Sequence, residues 1–164
     1  MRHDFNTLVD SHGRAVYAAA WRILGHQADT QDVVQEVFLE AFQRFADERI
    51  EHWPALLRRL ATYRALDRLR QRRPMTPLEG WAVADPGEEP WAVAAERELA
   101  ERLREAVAQL PQREASVFCL SSFDGLSNSQ IAEVLQISSG AVAVALHKAR
   151  GKLATRLAQI TTGE

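Results

Sequence analysis

Eight arginines and no lysine stand between Arg49 and Arg73, against only Glu51 and Asp67, a net of +6 in 25 residues. A charge run is ordinarily a solvated helix face. Arginine alone is a narrower choice, because its planar fork grips phosphate oxygens in pairs and stacks on bases, whereas a face meant only for solubility mixes in lysine. A second basic run, His147, Lys148, Arg150, Lys152 and Arg156, contains no acid. Two basic segments far apart in the chain point to two separated contacts with one polyanion. The opposite sign precedes the first run: Asp29 to Glu48 holds six acids and one arginine, a net of -5. Within it, DVVQEVFLEAF places Val33, Val34, Val37, Phe38, Ala41 and Phe42 on one helical face and Asp32, Gln35, Glu36 and Glu40 with Leu39 on the other. The first face reads as core. The second suits docking on a basic protein surface and also suits water, and spacing alone favours water.

No catalytic grouping accompanies these charges. His3, His12, His26, His52 and His147 are scattered without metal-ligand spacing, and Cys119 lies among Val117, Phe118 and Leu120 as a core residue. Neither a glycine-rich phosphate loop nor a nucleophile with a placed base is present. No catalytic residue, metal or cofactor is therefore expected, and the chain reads as a non-enzyme. One cysteine makes no intramolecular disulfide and fits a reducing compartment. No apolar run approaches the roughly 20 residues that span a bilayer, and MRHDFNTLVD lacks the apolar stretch of a secretion signal. A cytoplasmic protein with no membrane insertion of its own is expected.

The elements that must position these residues are helices. The 164 residues are 46% apolar and 26% charged, an ordinary soluble balance, and apolar positions recur at helical spacing with no sustained strand alternation. Helices are expected over Phe5 to Leu24, about Asp29 to Phe45, and about Pro54 to Arg73, where Pro74 stops the third. Residues 74–95 hold four of the six prolines, two glycines and four acids with no Lys, Arg or His, and this composition reads as a linker. Trp81 and Trp91 within it read as tacking it onto a neighbouring domain. Further helices follow from about Ala94 to Gln109, Gln112 to Phe123, Ser127 to Leu135 and Ser138 to Ile160. The fold class is all-α: two small helical domains, 1–73 and 96–164, joined by the acidic Pro-rich linker 74–95. Modules of this size bury limited cores and are modestly stable alone.

LSNSQIAEVLQISSGAVAVALHKARGKL combines a short helix burying Ile131, Ala132 and Leu135, a tight turn, and a longer helix with Val142 and Leu146 inward. That is the pattern of a helix-turn-helix, whose second helix enters the major groove. An ordinary helical hairpin shares the periodicity. Ser127 and Ser138 suit the two helix starts, and the basic residues on the second helix favour DNA.

In order, and over nearly the whole chain, these segments resemble the extracytoplasmic-function (ECF) sigma factors, the smallest group of bacterial transcription-initiation sigma subunits. DVVQEVFLEAF resembles the family's polymerase-binding helix, RALDRLRQRR the end of its minus-ten-reading helix, and the stretch from Leu110-Pro111 to Leu153 its minus-thirty-five domain. The resemblance implies a factor that binds core RNA polymerase through the largest subunit's clamp helices and the second-largest subunit's flap, and carries it to promoter DNA. Asp32, Gln35, Glu36 and Leu39 would then meet the clamp helices. The loop from about Ala46 to Trp53 would hold a flipped minus-ten base, Tyr63 would offer a stacking face, and Arg58, Arg59, Arg68, Arg70, Arg72 and Arg73 would line the single strand and adjacent phosphates. Arg113, Ser138, Ser139, Lys148, Arg150 and Lys152 would serve the minus-thirty-five element, and the acidic linker would thread the polymerase toward the RNA exit path. An anti-sigma factor is a further partner that the resemblance allows.

Three positions depart from the family pattern. Gln136 stands where a glycine is usual, Thr62-Tyr63 where an Arg-Asn pair is common, and Ala143-Val144-Ala145 where polar and basic residues are usual. The last three side chains offer no donor or acceptor to a base edge, so phosphate anchoring by Lys148, Arg150 and Lys152 is the safer minus-thirty-five role. Two other functions compete: a helix-turn-helix DNA-binding regulator that is not a polymerase subunit, which leaves the acidic helix and linker without a task, and a helical regulatory protein impaired in DNA binding, of which the Ala-Val-Ala stretch would be the sign.

Overall fold

A computed structural model describes residues 4–46, 50–72 and 90–162. Among them lie the helices α1 (Phe5–Leu24), α2 (Gln27–Arg44), α3 (Trp53–Gln71), α4 (Pro90–Ala108), α5 (Gln112–Ser122), α6 (Asn128–Leu135) and α7 (Ser139–Thr162). No strand occurs among the described residues, and no single helix there is long and apolar enough to cross a membrane.

Local chemistry sets the helix ends. Asp4 accepts from the Asn6 amide to start α1, and Gly25 closes it in the left-handed region at φ 59°. Pro54 sits in the first turn of α3, where its missing N–H costs nothing. Ser127 and Gln130 form a reciprocal capping box at α6, and the Ser138 hydroxyl accepts from the Ala141 amide at 3.1 Å to start α7. Between α6 and α7 the chain turns at Gln136, held left-handed at φ 57° and ψ 46°. A non-glycine residue there costs on the order of 1 kcal/mol.

Helices α1 to α3 pack as one module around Leu24, Val33, Val37, Leu57 and Leu66, and α5 to α7 as another around Val117, Leu120, Ile131 and Val142. The two do not hold their cores apart. Ala106, Val107, Leu110, Ala115, Cys119, Ala149 and Leu153, all from the second half, join the first module's cluster, while Ala55 and Tyr63 of α3 pack against the second. An apolar seam between the modules was not expected from either module's pattern alone. Phe42 needs a correction, since it is 61% exposed rather than core. It lies at the edge of the apolar face, where its ring meets the Phe5 ring edge-on at 5.0 Å. The expected linker 74–95 needs a correction at its end, since α4 begins at Pro90, a residue that suits a first helical turn; Arg73, residues 47–49 of the expected base-holding loop, Trp81, the Trp91 side chain and the rest of the linker lie outside the described residues.

Candidate polymerase and nucleic-acid interfaces

The outer face of α2 presents Asp32, Gln35, Glu36 and Leu39 to solvent, with Leu39 59% exposed. Val33, Val37 and Ala41 on the opposite face are fully buried, which fixes the rotation of the helix and so the direction of the acids. The acids do not stand alone. Arg68 of α3 reaches Glu36 at 3.1 Å and Asp32 at 3.6 Å, and Arg64 bonds Glu40 at 2.9 Å. That bond makes the Arg64 guanidinium hold its proton more tightly than usual. Pairs this exposed add little stability. The acidic and basic faces therefore share a border along α2 and α3.

Tracing α3 from its start, Trp53 is half-buried against Phe45, with ring centroids 5.8 Å apart, and Phe45 continues to Phe5. Arg59 is half-buried. The remaining α3 side chains of interest turn to the second module. Tyr63 packs on its core. Arg58 lies 3.5 Å from Asp124, which also accepts a 3.0 Å bond from Arg22 of α1. The Asp124 side chain is only 5% exposed. Burial raises its pKa above the usual carboxylate value, while the Arg22 hydrogen bond and the two guanidinium charges oppose that rise.

Arg70 caps the end of α4, donating to the carbonyls of Ala108 (3.3 Å) and Leu110 (3.1 Å) and to the Gln112 side chain. The exchange is reciprocal. Arg104 of α4 donates to the Ile23 carbonyl at 3.0 Å, at the end of α1, and its guanidinium lies so close over Gly25 that a Cβ there would collide with it. Arg72 joins the same helix end, donating to the Leu24 carbonyl at 2.7 Å and pairing with Asp29 and Glu101. Guanidinium groups fit such sites because the last carbonyls of a helix are unpaired and carry its negative dipole end. Burial, with Arg72 nearby, lowers the affinity of Arg104 for its proton, and Glu101 counteracts this.

The second basic helix differs. His147, Lys148, Arg150, Ser139 and Val144 are exposed on α7, as are Arg113 on α5 and Ser138 just before α7. Lys152 is exposed too but is paired, donating to both carboxylate oxygens of the buried Glu114 at 3.0 and 2.8 Å. The Ser138 hydroxyl is occupied by its cap. Ala145 is buried in the helix-turn-helix core, so only Ala143 and Val144 of the Ala-Val-Ala stretch face outward.

Asp32, Gln35, Glu36, Leu39 and Arg68 thus gather on the α2/α3 border and Ser139, Lys148, Arg150 and Lys152 on the outer side of α7, whereas Arg58, Tyr63, Arg70 and Arg72 turn toward the second half of the chain. Asp124 and Arg104, the groups that tie α3 and α1 to the second module, were missed. Asp124 falls in the break between two expected helices, followed by Gly125, where an acid has the ordinary look of a turn residue. Its sole sequence signal was an acid among apolar residues.

Residues 8–74 match the family model "Sigma-70 region 2" and residues 100–153 match "Sigma-70, region 4". The chain is 33% identical to the ECF RNA polymerase sigma factor SigF of Caulobacter vibrioides over 83% of this chain and 75% of the relative. It is 28% identical to the ECF sigma factor SigW of Bacillus subtilis over 93% of this chain and 88% of the relative. Among solved structures, CnrH in complex with the cytosolic domain of CnrY superimposes with a TM-score of 0.61 at 28% identity, covering 93% of this chain and 86% of that one. With both sigma regions in order on an all-helical frame, the chain belongs to the ECF RNA polymerase sigma factors.

Proposed function

We propose that this sigma factor docks on core RNA polymerase through Asp32, Gln35, Glu36 and Leu39 of α2 and reads promoter DNA with α3 and α7. The observation that carries the docking assignment is the exposed Leu39 within an acidic face whose reverse side buries Val33, Val37 and Ala41 completely. An apolar knob ringed by carboxylates complements a basic helical surface such as the polymerase clamp, where rim charges steer and the knob supplies contact area. Phe42, one turn further along the same edge, extends that knob.

The minus-ten assignment covers Trp53, Arg58, Arg59, Tyr63, Arg68, Arg70, Arg72 and Arg73. Stacking aromatics and phosphate-gripping arginines along one helix are what a melted strand needs. The minus-thirty-five assignment covers Arg113, Ser138, Ser139, Lys148, Arg150 and Lys152, with phosphate anchoring dominant because Ala143 and Val144 offer methyl contacts only. Residues 1–73 and 96–164 are the two working modules of this reading, and the part of segment 74–95 that precedes α4 is the tether that lets them reach separate elements. The flap of the second-largest subunit is the proposed seat of the second module. CnrH is bound by the cytosolic domain of another protein, and a comparable partner, an anti-sigma protein, belongs to this proposal.

Copurification followed by run-off transcription tests the assignment. The chain should elute with core polymerase and support specific transcripts from a promoter selected out of genomic fragments. Copurification without promoter-dependent transcripts would favour an impaired regulatory protein. DNA binding without copurification would favour an independent helix-turn-helix regulator.

A further inference from the structure

Val144 is a large apolar side chain that α7 leaves outside, 54% exposed. Val142, Ala145 and Leu146 are buried in the helix-turn-helix core, which turns Val144 outward together with Gly140 one turn before it and His147 and Lys148 one turn after. A valine this exposed adds little to the core, and its branched β-carbon is a poor choice for a helix surface. The space beside it is open. A Cβ at Gly140 would meet only the Ser138 hydroxyl, at 3.9 Å, and one at Gly151 would meet nothing within 4 Å. The valine therefore stands as an apolar projection on a low surface, with the exposed cations Lys148 and Arg150 close behind it.

We infer that Val144 is a specificity-determining residue of promoter recognition, whose partner is the C5-methyl group of one thymine in the minus-thirty-five element. The inference rests on the reading of α7 as the minus-thirty-five helix. In a helix-turn-helix the N-terminal part of the second helix lies against base edges in the major groove, and Val144 is the sixth residue of α7. Those edges carry donors and acceptors at every base pair and a single kind of apolar group, the methyl of thymine. Against an amino or carbonyl edge the valine displaces water and returns no hydrogen bond, which is a cost. Against the methyl it buries apolar surface on both sides. Attraction and exclusion therefore select the same base.

Register comes from the neighbouring charges. Lys148 and Arg150 on α7 and Arg113 on α5 are exposed, and phosphate contacts from such side chains fix how a helix lies in the groove without themselves reading sequence. Lys148, one helical turn beyond Val144, ties the position of the valine to the DNA backbone. Two roles thus separate on one face: the cations hold, and Val144 chooses. The choice is addressed to a group that can be taken from DNA without altering any hydrogen bond, because deoxyuridine differs from thymidine by that methyl alone.

The test uses the full chain reconstituted with core polymerase and a promoter selected from genomic fragments, with each thymine of the minus-thirty-five element, on either strand, replaced in turn by deoxyuridine. At one position loss of the methyl should weaken promoter-complex formation about fourfold, the size of one buried methyl group. Val144→Ala, checked for unchanged helicity, should bind thymine and deoxyuridine alike at that position, while Lys148→Ala should weaken both promoters in equal proportion. Cytosine placed there should bind poorly, and 5-methylcytosine should recover part of the loss for wild type and none for Val144→Ala. An element selected without thymine, deoxyuridine substitutions that are neutral throughout, or a thymine preference that survives Val144→Ala would overturn the inference. Wild type that forms no promoter complex at all would count against the function itself.

Discussion

Helices α3 and α7 are both basic and both assigned to DNA, yet their charges meet different neighbours. On α3, Arg58, Arg64, Arg68, Arg70 and Arg72 each have a carboxylate or carbonyl partner within the chain. On α7, Lys148 and Arg150 point to solvent, and Lys152 alone of the three assigned α7 cations is held, by Glu114. Composition is similar and availability is not. The cause is placement: α3 lies between the modules and is packed on by α1, α2, α4, α5 and α6, whereas one side of α7 is exposed among the described residues. A basic helix in the middle of a fold becomes its electrostatic cement. One at the rim keeps its charge for a ligand.

The largest effect should come from the acids that border α3. Asp32→Lys with Glu36→Lys should abolish copurification with core polymerase while the thermal midpoint moves little, since substitutions at exposed sites change stability within about 0.5 kcal/mol. Retained copurification at wild-type level would remove the docking role from this face, and a large drop in midpoint would mean that the Arg68 pairs matter more to folding than their exposure implies.

On α7 the comparison can be sharpened residue by residue. Lys148→Ala and Arg150→Ala should each weaken promoter complexes about equally on all minus-thirty-five sequences and lower the salt slope by about 1. Lys152→Ala should behave otherwise, because removing it strands the buried Glu114 carboxylate, a loss of about 1 kcal/mol of stability or more, with a smaller change in slope. Salt titrations of reconstituted promoter complexes, read beside urea midpoints, separate the two outcomes. Three equal slopes would place Lys152 on phosphate in the working complex.

Much of this fold is written in the sequence, and particular residues show why. Gly25, Pro54 and Ser127 mark helix ends through their own backbone or hydroxyl chemistry, so reading them requires no knowledge of what lies across the molecule. The rotation of α2 follows from Val33 and Val37 in the same way. Phe42 was misplaced because a helical wheel gives an angle but not the width of the neighbouring helix face. The seam was illegible for a different reason: Arg70 and Arg104 bond to carbonyls, and a carbonyl acceptor has no sequence signature. Asp124 meets Arg22 and Arg58 from 102 and 66 positions away along the chain, and no local pattern encodes such pairings.

A smaller effect is due at the turn between α6 and α7. Gln136→Gly should raise stability by about 1 kcal/mol by relieving the left-handed strain, with the gain read as a higher urea midpoint at unchanged denaturant slope. A loss of stability would show that the Gln136 side chain makes up for its backbone.

The smallest concerns pH. An acid whose proton affinity is raised by folding binds its proton more tightly in the native state than in the unfolded one, so its contribution to stability falls as pH climbs from the ordinary 3.8 through the raised native value. Asp124→Asn removes that contribution. The difference in urea midpoint between variant and wild type should therefore shift in favour of the variant as pH rises across this window, whereas parallel curves would mean that Arg22 and Arg58 fully offset the burial.

The difference between α3 and α7 is tested most directly by arginine modification with phenylglyoxal, followed by peptide mass spectrometry of the intact, folded chain. Arg113 and Arg150 should react fast and Arg58, Arg70 and Arg72 slowly. Equal rates for the two groups in wild type would contradict the account, since the α3 arginines would then be as free as those of the second module.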